Sequence, residues 1–376
     1  TKSSAASDVY KRQASYFPSL LVFMSTFPMR QDVVEKHGIR WTEPENIVTL
    51  GPYKLSSWRH HDNMLIQINP NYWGPKPTIE NVNMVMNENP SSALALYESG
   101  ELDFADSKSI PPLEVPRLKD LNDFKSTPQF RTNYIAFNVE KTPFDNPLVR
   151  KAFSASIDRK SIIGLIQGAG ITTTSWIPKD MLAYNSEIGV DFNPGQAKKW
   201  LAESGYPDGK GFPEVTFLWP DVSFNRVIAE ALQSMWKEYL GVKVNLINEE
   251  WKVYLDSQKR RDFDVSRAGW IGDYVDPNNF LDLFLCDGGN NNTGFCDPDY
   301  DDMILRQAPQ AASREERYAI FHAAETLLME QMPIIPIYTY TSNHLIHPSV
   351  KGMPSNLMDS LNLKYVSLQQ NPEPAE

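Results

Sequence analysis

The stretch "EVTFLW" (214–219) opens the segment that decides the fold class. An amphipathic helical pattern at 224–241, the strand-like "VKVNLI" (242–247), a second helical pattern at 251–260 and the strand-like "FDVSRAGW" (263–270) follow it. Strands that alternate with helices in this way indicate a βαβαβ run and hence a parallel sheet. Ligands of open α/β sheets bind beyond the carboxyl ends of the strands. The sequence therefore predicts a binding site just after the last of these strands.

The residues at that position are acidic and aromatic. "RAGWIGDYVDP" (267–277) places Asp273 and Tyr274 shortly after Trp270, and Asp276 reads as a turn acid. A carboxylate beside an aromatic wall suits a primary ammonium group, because charge attraction, hydrogen bonding and a cation–π contact act together. An exposed strand end can also pair with a peptide main chain. Spacing alone leaves open the alternative that Asp273 is a solvated turn acid.

The rest of the chain carries further helix and strand signals. We expect strands at 47–58, 63–69, 133–139 and 333–346, a helix at 91–102 that Gly100 stops, a helix at 193–205, and a proline-rich loop at 109–116. Within 143–168, Asn146 and Asp158 are expected to cap two helices, the second ended by Gly168. Ser313 and Glu316 form a capping box at the start of a long helix. The predicted fold class is α/β.

Length and charge bound the class of protein. A chain of 376 residues exceeds the size at which one core stops growing, so two lobes are expected. The net charge is −11, with 36 basic and 47 acidic residues, which argues against a nucleic-acid partner. No apolar run approaches the roughly 20 residues that cross a bilayer. We interpret residues 1–13, which have no Met and no apolar core, as a non-native leader.

Other chemical motifs are weak. "GYPDGKGF" (205–212) lacks the spacing and the Ser/Thr of a phosphate loop, and neither GxSxG nor HExxH occurs. Asp262 and Asp264 share a strand face, so glycoside cleavage by a carboxylate pair is a formal alternative. Cys286 and Cys296 flank a loop; they are either two unrelated thiols or a local disulfide, while a zinc site lacks further ligands. We predict no catalytic residue, no metal and no cofactor.

Two motifs resemble a known family. "NIVTLGPYKLSSWRHHDNMLIQINPNYWG" (46–74) and "PFDNPLVRKAFSASIDRKSIIGLIQGAG" (143–170) are similar to signatures of the extracytoplasmic solute-binding proteins of the peptide/nickel group, family 5, which feed ABC importers. "EEWKVYLDSQKRRDFDVSRAGWIGDYVDPNNFL" (249–281) looks most like the oligopeptide-binding branch. The local cysteine pair resembles dipeptide-type relatives instead, which leaves the length of the ligand open.

The resemblance implies a set of ligand-binding residues. By that likeness, Asp273 anchors the amino terminus of a peptide, Gly269, Trp270 and Ile271 supply strand contacts, and Arg267 meets ligand carboxylates. The expected ligand-binding set is completed by residues on the same and neighbouring segments: Tyr274, Asn133, Tyr134 and Tyr338.

The resemblance also implies an architecture and partners. It predicts a two-lobed, periplasmic-binding-protein-like (class II) fold, truncated to part of lobe I (14–129 and the return at 340–376) and a complete lobe II (130–339). The protein is then a periplasmic or extracellular monomer, with or without a lipid anchor, that captures oligopeptides and delivers them to membrane permease subunits. The alternatives are the same fold binding a dipeptide, a nickel chelate, haem or a sugar, a secreted hydrolase, and a fragment without activity.

Overall fold

In a computed structural model, the chain is described over residues 16–167, 170–221 and 225–369. It forms two compact units. The larger unit takes in residues 16–23 together with Pro128–Thr341, and the smaller takes in Met24–Thr127 and residues 342–369. The sequence-based lobe limits differ from these by a few residues, and 16–23 group with the larger unit. The proposed leader 1–13 and the helix end at Gly168 lie outside the described residues.

The elements alternate between strands and helices along much of the chain. The strands are β1 Tyr53–Arg59, β2 Asn63–Ile68, β3 Asn81–Val85, β4 Phe104–Ala105, β5 Phe124–Phe137, β6 Gly170–Thr172, β7 Val215–Pro220, β8 Val244–Glu249, β9 Val265–Ile271, β10 Ile334–Ile346, β11 Val350–Lys351 and β12 Ser367–Leu368. The helices are α1 Phe17–Leu20, α2 Gln31–His37, α3 Pro90–Glu98, α4 Val115–Leu118, α5 Pro147–Ala155, α6 Arg159–Leu165, α7 Pro194–Glu203, α8 Asn225–Leu240, α9 Trp251–Lys259, α10 Asn278–Leu281, α11 Pro298–Asp302, α12 Ala308–Gln310 and α13 Arg314–Gln331. Single 3₁₀ turns occupy Met24–Thr26, Gly38–Thr42, Ser107–Ser109, Pro112–Glu114, Pro207–Gly209, Asp282–Phe284 and Leu363–Tyr365, and Met303–Gln307 is a π-helical turn.

A mixed sheet organises the larger unit. Its strands lie in the order β10, β5, β9, β7, β8, and β6 pairs with β10. β7 runs parallel to both β8 and β9, which confirms the predicted βαβαβ run. β5 is antiparallel to β9, from the pair Arg131 and Ile271 to the pair Phe137 and Val265. The carboxyl ends of β7, β8 and β9 therefore share one edge, and the first residues of this β5 pairing lie at the same edge.

The predicted helix caps are present in the larger unit. Asn146 and Asp158 each accept backbone N–H groups of the following turn through their side chains. Ser313 accepts the N–H of Glu316 at 3.1 Å. The Glu316 carboxylate, however, accepts the N–H of Ala312 and not that of Ser313, so the reciprocal half of the capping box reaches one residue further back. These short-range signals explain why the helices begin where the sequence predicts.

The smaller unit departs from the sequence prediction in three places. β1, β2 and β3 form an antiparallel sheet, and the third strand was not predicted. The first strand starts at Tyr53 and not at residue 47, because residues 47–50 belong to no regular element and residues 51 and 52 form a bend. The expected loop at 109–116 carries the short helices Pro112–Glu114 and Val115–Leu118. Helix α3 does end before Gly100, whose φ of +80° suits glycine.

Cys286 and Cys296 form a disulfide with their Cα atoms 4.3 Å apart. The chain has two cysteines, so no free thiol remains among the described residues. Of the alternatives left open by the sequence, the structure thus selects the local cross-link.

Candidate functional site

The last residues of β9 present main-chain groups that no strand pairs. In the antiparallel ladder with β5, the Gly272 N–H donates to the Phe130 carbonyl oxygen at 2.9 Å, and hydrogen-bonded positions recur at every second residue. The main-chain groups of Gly269 and Ile271 therefore point the other way, toward β7. The ladder between β9 and β7 ends at Ser266. Within the described residues, Gly269 and Ile271 thus offer a short row of unpaired N–H and C=O groups.

Asp273 lies just beyond this row and is exposed. Its own N–H donates to the Asn279 side-chain oxygen at 3.3 Å, while the Trp270 indole donates to the carbonyl and side-chain oxygens of the same asparagine at 2.9 and 3.0 Å. Asn279 is buried and therefore fixes the turn that carries Asp273. The carboxylate is left with neither an ion pair nor a hydrogen bond to any other part of the described chain.

Alternation along the strands separates the predicted residues onto two faces. Asn133 on β5 and Gly269 on β9 are paired, and with Ile271 they occupy one face, where Ile271 is 59% exposed. Tyr134 and Trp270 occupy the other face. Tyr134 is buried, so the structure places it in the core, and Trp270 is half-buried. The predicted residues are therefore close in the sheet but do not all reach one surface.

A cationic cluster lies on the first of these faces. Arg267 is only 8% exposed and donates to the phenol oxygens of Tyr338 and Tyr340 at 3.4 and 3.2 Å. The Arg131 guanidinium stacks 3.8 Å from the centre of the Tyr340 ring. Burial acts to raise the pKa of Tyr340, but the guanidinium groups of Arg267 and Arg131 outweigh it, and the pKa lies below its ordinary value. Asn133 donates to the Tyr340 oxygen at 3.4 Å, so the cluster is internally connected.

Neither arginine of this cluster pairs with a carboxylate in the described part of the chain. The Nε atoms of both Arg131 and Arg267 are buried without a hydrogen-bond acceptor. A buried cation without a counter-ion is costly, so the pair favours an anionic group of a ligand.

The expectation that Asp276 is a solvated turn acid is wrong. Asp276 is buried and accepts two hydrogen bonds from Arg317, at 2.7 and 2.8 Å. Burial, together with the nearby carboxylates of Asp276 and Asp273, raises the pKa of Asp282 to about 6. Tyr274 is half-buried and accepts a hydrogen bond from Asn278 at 3.2 Å. This side of the turn is thus a packed support for the exposed Asp273.

Gly272 is required by close packing. A methyl group built at its Cα would lie 1.9 Å from a ring carbon of Phe130, which is itself buried. At Gly269 the nearest atom to such a methyl group is 3.6 Å away, an ordinary contact. The two glycines that flank Trp270 and Ile271 therefore have different structural roles. Gly272 allows the turn to pack against the core, and Gly269 leaves the strand surface open.

Unsatisfied polar atoms concentrate at this edge of the sheet. Of the nine buried side-chain atoms without a partner among the described residues, five lie on the strand segments that meet here: Arg131 Nε, Asn133 Oδ1, Trp219 Nε1, Glu249 Oε2 and Arg267 Nε. Arg131, Asn133, Trp219 and Arg267 share one face of the sheet, and Glu249 lies on the other. Native proteins seldom leave such groups unpaired, so the cluster on the first face points to a ligand site. The sequence prediction included two of these residues and missed Arg131, which alternation on β5 places beside Asn133.

Neither glycoside cleavage by a carboxylate pair nor a metal site gains support from the described residues. Asp264 accepts hydrogen bonds from the N–H and hydroxyl of Thr216, both at 2.8 Å, so it is tied to a neighbouring strand, unlike the exposed Asp262. Across residues 16–167, 170–221 and 225–369, no cluster of three His, Cys, Asp or Glu side chains is arranged to hold a metal ion. Over the same residues, each helix is too short or too polar to span a bilayer.

Sequence comparison finds relatives of the chain among bacterial binding proteins. The family "Bacterial extracellular solute-binding proteins, family 5 Middle" matches residues 8–292. The oligopeptide-binding protein OppA of Bacillus subtilis (strain 168) is 31% identical over 90% of this chain, and the periplasmic murein peptide-binding protein MppA of Escherichia coli (strain K12) is 34% identical over 91%. The match spans 64% of each relative, so the chain corresponds to somewhat less than two thirds of their length.

Solved structures agree with the sequence comparison. The unliganded open form of the murein tripeptide-binding protein MppA superposes with a TM-score of 0.78 at 33% identity, covering 92% of this chain and 68% of that one. The Haemophilus influenzae OppA complex with RPPGFSPFR gives a TM-score of 0.71 at 30% identity, covering 95% and 72%. The fold and the sequence thus lead to one conclusion: the chain belongs to the bacterial extracellular solute-binding proteins of family 5.

Proposed function

We propose that this protein captures oligopeptides outside the cytoplasmic membrane and delivers them to the permease of an ABC importer. The observation that carries the proposal is the unpaired main-chain row at Gly269 and Ile271, which ends at the exposed carboxylate of Asp273. Relatives named as oligopeptide-binding proteins, one of them solved with a nonapeptide, support it.

Each part of the site has a role in this proposal. A peptide main chain adds to the free side of β9, which gives affinity independent of the side chains. Asp273 accepts hydrogen bonds from the ammonium group at the peptide amino terminus. Arg267, with Arg131 beside it, receives a ligand carboxylate. Tyr338 accepts a hydrogen bond from Arg267 and so helps to hold its guanidinium in place. We assign the buried Tyr134 to the core.

The larger unit corresponds to lobe II in this proposal, and the smaller unit to the part of lobe I that the chain contains. The protein works as a binding protein and not as an enzyme, as a monomer, in the periplasm or outside the cell. Support comes from the match to a family of solute-binding proteins and from the periplasmic names of two relatives.

Calorimetric titration with free and N-acetylated Ala-Ala-Ala tests the proposal. Asp273→Asn keeps shape and polarity but removes the charge, and it should weaken binding of the free peptide by about 1.5–3 kcal/mol, the worth of a hydrogen bond to a charged group. Asp262→Asn is the matched control, because Asp262 is an exposed acid before the opposite end of β9. It should leave the affinity unchanged.

Acetylation deletes the same charge interaction from the ligand side. Its cost should therefore not add to that of Asp273→Asn in a double-mutant cycle. Equal binding of free and acetylated peptide to the unchanged protein, or full additivity of the two losses, would show that Asp273 is a solvated turn acid and that the proposal is wrong.

A further inference from the structure

One face of the sheet in the larger unit has an excess of unpaired hydrogen-bond donors. The Nε atoms of Arg131 and Arg267 and the Nε1 atom of Trp219 are buried without an acceptor among the described residues. Strand alternation places these three side chains on the same face. Unpaired buried donors favour a ligand that brings acceptors, and because two of the three are cationic, they favour an anion.

The two guanidinium groups contact the same phenol. The Arg131 guanidinium stacks 3.8 Å from the centre of the Tyr340 ring, and Arg267 donates to the Tyr340 oxygen at 3.2 Å. A protonated phenol accepts hydrogen bonds but brings no negative charge. Two positive charges therefore lie close together, and a ligand with one carboxylate neutralises only one of them. A cation that is left buried without a counter-ion is costly.

A peptide that adds to the free side of β9 has a defined register in the proposed function. With its amino terminus at Asp273, just beyond the end of β9, the peptide runs antiparallel to the strand. The main-chain groups of Gly269 and Ile271 point to the open side, so the peptide residues opposite these two form the hydrogen-bonded pairs. The first peptide residue, next to the anchor, lies opposite Ile271, and the third therefore lies opposite Gly269.

The surface of Gly269 connects the third peptide side chain with the two arginines. A residue opposite Gly269 has its side chain on the face that carries Arg131 and Arg267. Gly269 pairs with Asn133, which donates to the Tyr340 oxygen at 3.4 Å, so the arginine cluster begins one strand away. Arg267 is a diagonal neighbour of the third side chain, and such neighbours, about 7–8 Å apart, are within reach of long side chains.

We propose that Arg131 is a specificity-determining residue that, together with Arg267, forms a two-cation subsite for a peptide with two negative charges at its third residue. This inference rests on the proposed function. A tripeptide that ends in Glu or Asp carries the terminal carboxylate and the side-chain carboxylate on the same residue, so each guanidinium receives one of them. An acid at the first residue gains nothing, because it lies beside the carboxylate of Asp273.

Calorimetric titration with two isosteric pairs of peptides tests the proposal. Ala-Ala-Glu is compared with Ala-Ala-Gln, and Glu-Ala-Ala with Gln-Ala-Ala, at neutral pH, where glutamate is ionised. We expect Ala-Ala-Glu to bind about tenfold more tightly than Ala-Ala-Gln, the lower range for a charge-assisted hydrogen bond. Glu-Ala-Ala should bind no more tightly than Gln-Ala-Ala. Because Glu-Ala-Ala and Ala-Ala-Glu have the same composition and net charge, a general attraction of acidic peptides would not distinguish them.

Three variants separate the charge of Arg131 from its packing. Arg131→Gln should bring the affinity ratio of Ala-Ala-Glu to Ala-Ala-Gln close to one, with both peptides still bound measurably. Arg131→Lys keeps the positive charge and should keep most of the preference, which packing on the Tyr340 ring alone would not predict. Arg226→Gln is the matched control, because Arg226 forms an exposed ion pair with Glu230 on a helix surface, and it should keep the ratio near tenfold.

The inference is overturned if Ala-Ala-Glu and Ala-Ala-Gln bind the unchanged protein equally. It is also overturned if Arg131→Gln keeps the tenfold ratio or abolishes the binding of both peptides, or if Arg131→Gln and Arg131→Lys lower the ratio alike. Equal and measurable binding of the two peptides overturns the two-cation subsite alone, whereas failure of every peptide to bind overturns the proposed function and the subsite with it.

Discussion

Replacing Arg317 with Met tests the support beneath the proposed anchor. Arg317 and Asp276 are joined by two hydrogen bonds of 2.7 and 2.8 Å, and their side chains are only 9% and 10% exposed. Met is of similar length and fills the space over the ring of Phe321, above which the Arg317 guanidinium makes a cation–π contact at 4.4 Å from the ring centre. What the variant removes is the charge, which leaves the Asp276 carboxylate buried with the N–H of Asn278 as its remaining donor.

The expected cost follows from this geometry. Breaking a buried ion pair by removing one partner costs about 3–5 kcal/mol, and the tenth of each side chain that meets solvent argues for the lower end, about 3 kcal/mol. For a folding unit of this size, that corresponds to a fall in Tm of roughly 6–12 °C. Peptide affinity should fall as well, because Asp276 holds the turn that presents Asp273.

Urea unfolding followed by tryptophan fluorescence measures the change. Arg226→Met is the matched control, because Arg226 forms an exposed ion pair with Glu230 on a helix surface, and it should leave the midpoint unchanged. A decrease of less than about 1 kcal/mol in the free energy of unfolding for Arg317→Met would refute the reasoning, because a buried carboxylate without its counter-ion should cost more than that.

Three further changes address packing, the cross-link and pH. Gly272→Ala should destabilise the fold by about 1–3 kcal/mol in a denaturant titration, because its methyl group would overlap the ring of Phe130; an unchanged midpoint would contradict this. Replacing Cys286 and Cys296 together with Ser should cost about 2–3 kcal/mol, and thiol labelling of the denatured, unreduced protein should find no reactive cysteine. Burial raises the pKa of Glu325 to about 7 from an ordinary value of 4.5, so between these two pH values the folded state keeps a proton that the unfolded chain has released. The stability that this group contributes below pH 4.5 is lost as the pH rises to about 7, and Glu325→Gln should remove that part of the slope; an unaltered slope would contradict it.

Structural features that depend on a few neighbouring residues could be predicted from the sequence. Asn146 and Asp158 stand before helical patterns and do cap helices, because a side-chain oxygen at that position meets the free N–H groups of the first turn. The alternation of strand and helix patterns between 214 and 270 likewise predicted the parallel part of the sheet correctly. Both depend on local spacing, which the sequence displays directly.

Features that depend on residues far apart in the chain could not be predicted from the sequence. Asp276 looked like a turn acid because its partner Arg317 lies 41 residues away, on a helix whose orientation no local pattern gives. Tyr134 was expected near the ligand, but strand alternation turns it toward the core, where its ring meets Trp176. Glu249, whose Oε2 is buried without a partner in the described part of the chain, was missed altogether, since a glutamate at a strand end resembles any solvated acid until its surroundings are known.

The hydrogen-bonded ladder between β9 and β7 ends at Ser266, before the end of β9 itself, and this limits which chains can pair with the last residues of β9. β7 stays hydrogen-bonded to β8 through Pro220, so it remains beside the opening after it has separated from β9. The edge strand of a folded protein brings its own neighbour about 4.8 Å behind it, and that neighbour would collide with β7. A single extended chain has no such companion. In the proposed function, the free end of β9 therefore has room for a lone peptide strand, whereas the edge strand of another folded protein would not fit beside β7.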